Sequence, residues 1–483
     1  MTDLKKIFCC SLILFSFLFA HAQKPKSSNI TLTGTSLLPV DSTRKVCVNS
    51  LIVAGTKKTK TYIVYREIQF KKGDSLLISQ LQKELEQARQ QVNNTTLFNE
   101  VKFELVTVDS FNVDITVHVT ERWYLYPVPQ FQLIDRNFNE WWKTYKRSFD
   151  RVNYGIKFVH YNLSGRRDQL RIYLINGYIR NISFSYNNPY SNSALNNGYS
   201  IGAGYSQNRE IAYLTDSANK IHFYKKTDFT RNAVYASAGF TIRRGLFKKH
   251  FFSIGYAHQK VDDSVITVFY NPNYFKDHVN SKDIIDLTYV FQYSNVNNVS
   301  YALKGQSGFL NIQKRGLGFT GGLNMLTVEA GFNKYFDMGK KWYSSIQLNG
   351  KIKLPFNQAY INQRGLGYGD NYLRGLEYYV IDGVATALVK STIKKNIISF
   401  NIPFTLFPKV FTKIPFTFFA KTYADVGYAY NKKNYYSYLN NRLLYSGGFG
   451  IDVLTLYDIN LRFEYSFNQL KENGLFLHNQ SGF

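Results

Sequence analysis

The side chains best placed for specific chemistry are one guanidinium and one carboxylate. Arg374 sits in Tyr372-Leu373-Arg374-Gly375-Leu376, within a Gly-rich connection of residues 356–383 that also carries Gly365, Gly367, Gly369 and Gly383. Asp425 sits in Tyr423-Ala424-Asp425-Val426-Gly427. A long Gly-rich connection between tight hairpins is either functional or disordered. A guanidinium in a narrow space needs a bidentate acceptor, and Gly375 and Gly427 allow close backbone approach. The chemistry expected is a fixed ion pair that pins the connection inside a lumen. On the residues alone, a solvated Arg374 and a separate wall carboxylate at Asp425 fit the same pattern.

Catalytic patterns are poorly served. The eight His are scattered, and none forms an H-x-x-x-H or a His/Asp cluster at ligand spacing. There is no G-x-S-x-G elbow, no phosphate-cradling loop before a helix and no Glu pair in a loop. His160 and His258 lie in strand patterns and read as wall residues. No enzymatic activity, cofactor or metal is expected.

The elements that must position Arg374 and Asp425 are strands. The chain has 483 residues, 17% aromatic, with 38 Tyr and 39 Phe, yet its mean hydropathy is only -0.27. Abundant aromatics in a chain that is polar on average suit a transmembrane β-barrel, whose strands are apolar on one face; a secreted β-sandwich has the same composition. Lys5 and Lys6 precede the apolar run Ile7 to Phe19, and Ala20-His21-Ala22 is a small-residue cleavage site. Residues 1–22 therefore read as a signal peptide. Cleavage leaves Cys47 as the one thiol, which excludes an internal disulfide and a cysteine metal site. After residue 22 no run reaches the ~18 apolar residues a helix needs to span, so any membrane crossing requires a closed barrel. The net charge of +26 is spread along the chain without a basic helix, which speaks against nucleic acid and for anionic lipid and lipopolysaccharide.

Residues 23–45 are polar and aperiodic and read as a flexible leader. Residues 46–122 read as a small β-α-α-β-β domain. Val46 to Ala54 form a strand, and Thr59 caps a short helix through Glu67. Ile78, Leu81, Leu85, Ala88 and Val92 mark a second helix. Two alternating strands follow, over Val101–Leu105 and Phe111–Val119. From about 123 to 483 the period is two. Val234, Ala236, Ala238, Phe240 and Ile242 alternate with Tyr235, Ser237, Thr241 and Arg243, and Ile459, Leu461, Phe463, Tyr465 and Phe467 alternate with Asn460, Arg462, Glu464 and Ser466. At ~22 residues per strand and connection this segment gives about 16 strands. Pro127 and Pro129 suit an edge where one domain hands over to the next.

In the first domain, Val53-Ala54-Gly55, Arg66-Glu67-Ile68, Lys72-Gly73-Asp74 and Asn94-Thr95-Thr96-Leu97-Phe98 resemble a POTRA domain, the periplasmic module of outer-membrane assembly barrels. Asp135 to Trp142 resembles the first barrel hairpin of single-POTRA members. Leu373-Arg374-Gly375 resembles the Val-Arg-Gly-aromatic loop tip of the BamA/TamA-like superfamily and of two-partner secretion transporters, and Tyr423-x-Asp425-x-Gly427 resembles the wall motif that grips it. Leu376 departs from the family's aromatic at that position. Phe476 and the terminal Phe483 resemble the C-terminal signal by which such barrels are themselves recognised.

The resemblance implies a transmembrane β-barrel of about 16 antiparallel strands behind one POTRA domain. It implies an outer-membrane barrel, a POTRA in the periplasm, and insertion or translocation of unfolded outer-membrane or secreted clients, with possible periplasmic accessory proteins. Gly55, Gly73, Asp74, Leu97 and Phe98 would shape the client edge and its packing. The other readings are a secretion pore for a dedicated partner and a passive channel.

Overall fold

The computed structural model describes residues 30–33, 43–133, 146–276, 278–317, 323–403, 413–432 and 437–480. Residues 1–22, where a signal peptide is expected, the Asp135–Trp142 stretch and Phe483 lie outside the described residues.

The first domain is an α+β sandwich. Its helix Ile78–Asn93 buries Leu81, Leu85, Ala88 and Val92, as their three- and four-residue spacing requires. They pack on Val101, Phe103, Leu105, Val113, Ile115 and Val117 from the two long strands Phe98–Thr107 and Asn112–Glu121. Three features depart from the sequence expectation. Ile30–Thr33, placed in the flexible leader, forms a strand parallel to Phe98–Thr107. Ser75–Leu77 adds a short strand on the far side, against Lys45–Ala54. Both edges of the five-stranded sheet thus carry short strands, an arrangement that blunts edge-to-edge pairing. The first helix spans Thr61–Tyr65 with Lys60 at its N-cap, so Thr59 stands too early to cap it. The Thr59 hydroxyl instead bonds Tyr124 Oη and accepts from Asn162 Nδ2, each at 2.9 Å.

The second domain is a 16-stranded antiparallel sheet in which each strand pairs with its neighbours in the chain, from Leu125–Leu133 to Asn473–Gln480. Val234, Phe240, Leu287, Phe332, Leu348 and Phe463 project from the exposed outer face, whereas Lys421, Asp425, Asp452 and Glu464 are buried in the lumen. The alternation is that of a transmembrane β-barrel with a lipid-facing wall around a polar interior. Among the described residues no helix is long and apolar enough to cross a membrane. Among them, too, no ladder joins the first strand to the last.

The small domain covers one end of the barrel. Lys60 N–H donates to Gly165 O at 3.0 Å. Arg66 Nε and Nη2 donate to the carbonyls of Leu195 and Gly245 at 3.0 and 2.8 Å. Asn94 bridges Val296 O and Val299 N, and Arg122 pairs with Asp458 at 2.8 Å. At the centre of this contact lies an ion pair, Glu67 with Arg243, at 2.5 and 2.7 Å, with Tyr190 Oη 3.2 Å from Glu67. The carboxylate is 2% exposed and the guanidinium 6%. Burial alone pushes the Glu67 carboxyl up, but hydrogen bonds from Arg243 and its positive charge outweigh that and hold it below the usual carboxylate range.

A depressed carboxylate stabilises docking above its undocked value, and that contribution is lost as pH falls through the depressed value. Glu67→Ala, which strands a buried cation, should weaken docking by about 3–5 kcal/mol. The readout is hydrogen exchange at the Lys60 amide, corrected for its intrinsic rate. Wild type should lose protection only in acid below the ordinary carboxylate range, whereas Glu67→Ala should lose it at neutral pH. Unchanged protection in the variant contradicts this role.

Candidate functional site: a loop tip held inside the barrel

The connection between Trp342–Leu354 and Ala385–Pro403 turns inward. It is organised by the short pair Arg364–Leu366 and Ile381–Asp382 and by a cluster of Leu366, Leu373, Leu376, Ile381, Leu388 and Leu444. Leu376, which replaces the expected aromatic, is 2% exposed in this cluster. Burying these side chains in the lumen offsets part of the entropic cost of ordering a long loop.

The tip carries Arg374 onto Asp425 of the wall strand Lys413–Tyr430. Nε and Nη2 donate to Oδ2 and Oδ1 at 2.9 and 2.5 Å, and the Arg374 backbone N–H reaches Oδ2 at 3.0 Å. Nη1 donates to Thr392 Oγ1 at 3.0 Å, and Nη2 reaches the Ser391 carbonyl at 3.3 Å. The guanidinium also lies 4.0 Å from the centroid of the Tyr423 ring. Asp425 is fully buried and Arg374 is 6% exposed. A buried charge is tolerable only when paired and hydrogen-bonded, and here both members are.

The two glycines are required by contact. Gly375 has φ +92°, and a Cβ there would meet Ser466 Cβ at 2.8 Å. A Cβ on Gly427 would meet Leu373 Cδ1 at 2.8 Å. The Gly375 carbonyl accepts from Asn468 Nδ2 at 2.8 Å, which ties the tip to the penultimate strand Asn460–Asn468 as well.

A second charge group lies toward the covered end. Lys421 contacts Glu464 at 2.7 Å and also pairs with Asp452, and Glu464 Oε1 is 3.9 Å from Arg374. The turn of residues 297–304 rises from the covered end and donates Tyr301 Oη to Asp452 at 2.8 Å. Tyr301 is buried against Phe419, with Lys394 4.2 Å from its ring centroid. Loop tip and turn thus enter the lumen from opposite ends. They leave a cavity of about 200 Å³ between them, lined by Arg374, Lys390, Lys394, Lys421 and Arg462. The arrangement holds charge and shape. Among the described residues no group of three or more His, Cys, Asp or Glu is placed to hold a metal.

Leu373, Arg374, Gly375, Asp425 and Gly427 are brought together. Leu97 and Phe98 are buried in the first domain's core, which makes them packing residues. At Gly55 (φ +93°) a Cβ would collide with the Val119 carbonyl oxygen, Gly73 (φ +91°) makes a turn, and Asp74 accepts from Lys71 N–H at 2.9 Å. Phe476 turns toward the loop and lies 5.3 Å from Tyr378, ring to ring. The sequence reading missed Glu67–Arg243, Tyr301–Asp452 and Lys421–Glu464. Their partners are far apart in the chain and no local pattern announces them, although Glu67 lies within a quoted POTRA segment.

Residues 46–122 match the POTRA family model, described as a surface antigen variable number repeat. No curated protein matches the chain by sequence. Among solved structures, BamA from Haemophilus ducreyi lacking POTRA domains 1–3 is similar at 14% identity and TM-score 0.49, over 91% of this chain and 85% of that one. CdiB from Acinetobacter baumannii is similar at 13% and 0.46, over 90% and 74%. CdiB from Escherichia coli is similar at 10% and 0.45, over 96% and 93%. By that family match the first domain, residues 46–122, is a POTRA domain, and it precedes the 16-stranded antiparallel barrel.

Arg374→Ala and Asp425→Ala should each cost the docked loop about 3–5 kcal/mol, because each strands a buried charge. Arg374→Asp with Asp425→Arg should restore only part, since Thr392, the Ser391 carbonyl and Glu464 are placed for a cation at the tip. Gly427→Val should cost about 1–3 kcal/mol by forcing Leu373 aside. Heat-modifiability on gels reads all four, and equal mobility shifts across the series contradict the lock.

Proposed function

We propose that the protein inserts unfolded clients into the bacterial outer membrane, with the barrel in that membrane and the POTRA domain in the periplasm. The observation that carries this reading is the lack of a ladder between the first and last barrel strands, among the described residues. An incoming strand can satisfy its backbone groups on such an edge before it meets lipid, where unpaired groups are costly. The POTRA domain sits where it would deliver that strand, since its last strand runs through Arg122 and Trp123 directly into the first barrel strand. No nucleotide or metal is invoked; burial of apolar strand faces supplies the drive.

The filled lumen favours insertion over a passive channel. A solute would have to displace both the Arg374 tip and the Tyr301 turn, and then pass the docked POTRA domain. A secretion pore for a dedicated partner demands the same clearance. We further propose that Lys and Arg at the barrel ends contact anionic lipid and lipopolysaccharide, and that periplasmic accessory proteins meet the POTRA domain.

The test is the outer-membrane proteome of a depletion strain, complemented with wild type or with Arg374→Ala. Loss of several barrels, restored by wild type and not by the variant, is the expected result. Loss of a single secreted protein with normal barrels assigns the secretion role instead. Altered solute uptake with an unchanged proteome assigns a channel.

A further inference from the structure

The covered end of the lumen holds a further concentration of charge, and unlike the Arg374 site it is one-sided. Five neighbouring wall strands, Ile179–Asn188, Asn197–Asn208, Arg231–Arg244, Lys248–Val261 and Ser281–Val296, turn alternate residues inward here. Small residues meet across the ladder, Gly202 opposite both Ser185 and Ser237, and leave the wall hollow. The hollow is a cavity of about 470 Å³, in which Arg243, Lys249 and Gln292 form one cross-strand row. That volume is in the range of small-molecule sites.

Three cations, Arg167, Arg243 and Lys249, line the cavity, and among the described residues no carboxylate does. Like charges opposite each other in a ladder repel, so Arg243 and Lys249 together call for negative charge. Glu67 answers Arg243 alone, since both of its oxygens accept from that guanidinium. Arg243 is more than nine-tenths buried, yet its Nε has no acceptor. Arg167 donates through Nη2 to Asn94 O at 3.3 Å. The Lys249 ammonium makes no hydrogen bond or salt bridge among the described residues. Asp168, beside Arg167 in the chain, is spent on Ser164 and on the Tyr186 hydroxyl.

Cationic donors that converge on one space are the recognition chemistry of an oxyanion. Three positive charges match a dianion better than a single carboxylate. Beyond them Ser200, Ser237 and Thr241 line the same cavity and suit a polar, hydroxylated body.

We propose that this cavity binds a small soluble phosphomonoester, its phosphate held by Lys249 and Arg167 beside Arg243 and its remainder against Ser200, Ser237 and Thr241. The site is linked to POTRA docking. The charges of Arg243, Arg167 and Arg66 all favour the ionised form of Glu67, so a bound dianion and the Glu67 carboxylate compete for the same cations. By reciprocity, removing the Glu67 charge strengthens the hold on the anion.

The test uses the full chain in maltoside micelles, which bring no phosphate of their own. Glycerol 3-phosphate is titrated by calorimetry, with glycerol as the control. Saturable binding of glycerol 3-phosphate and none of glycerol is expected. Lys249→Met and Arg167→Gln should each weaken it about tenfold, and Glu67→Gln should tighten it severalfold. Lys351→Met removes a cation from a different lumen cavity and should leave it unchanged. Heat-modifiability on gels checks that each variant is folded. Lack of binding, equal binding of glycerol, wild-type affinity in both Lys249→Met and Arg167→Gln, an equal loss in Lys351→Met, or no response to Glu67→Gln would each overturn the site. Binding of added phosphatidic acid in place of glycerol 3-phosphate would assign the cations to a lipid headgroup and overturn the soluble ligand.

Discussion

One buried ion pair constrains the rest of the barrel. Arg374 and Asp425 can share the lumen only because every other requirement is met: two glycines admit the backbones, Thr392 and the Ser391 carbonyl take remaining donors, and Tyr423 covers the guanidinium. A charge pair of this kind adds little net stability over an apolar replacement but is costly to break by halves. Its effect is therefore specificity: a long loop that would otherwise sample many positions has one. Through Asn468 and the proximity of Glu464, that position is also coupled to the strand next to the seam.

A second buried pair does comparable work at the covered end. Glu67 and Arg243 fix the POTRA domain to the barrel turns, and Tyr190 closes the arrangement. The tip anchors the wall from one side and the POTRA domain from the other.

The fold was legible because its signals are local. Alternation such as Leu461, Phe463 and Phe467 against Arg462, Glu464 and Ser466 fixes which face meets lipid, and the helix Ile78–Asn93 announces itself by spacing. Arg374 and Asp425 were legible for a different reason: a glycine-rich setting and a resemblance to a known tip and wall motif. What escaped reading depends on tertiary context. Ile30–Thr33 pairs as a strand although its polar surroundings read as leader, because an open sheet edge supplies the partner that its own sequence lacks. Thr59 was placed at a helix cap but is drawn to Tyr124 and Asn162, a choice set by a residue 103 positions away. Pro127 and Pro129 were visible as edge residues, and both fall in the first barrel strand, Leu125–Leu133.

The most direct test of the central claim is the distance distribution between spin labels on the loop and on the wall. Tyr378 and Leu443 are exposed on these two elements and can carry the labels in a Cys47→Ser background, since Cys47 is a free thiol. The lock predicts one narrow distribution for the protein in a bilayer, broadening when Arg374 is replaced by Ala. A broad distribution in the unmodified tip, or a narrow one that survives Arg374→Ala, would contradict it.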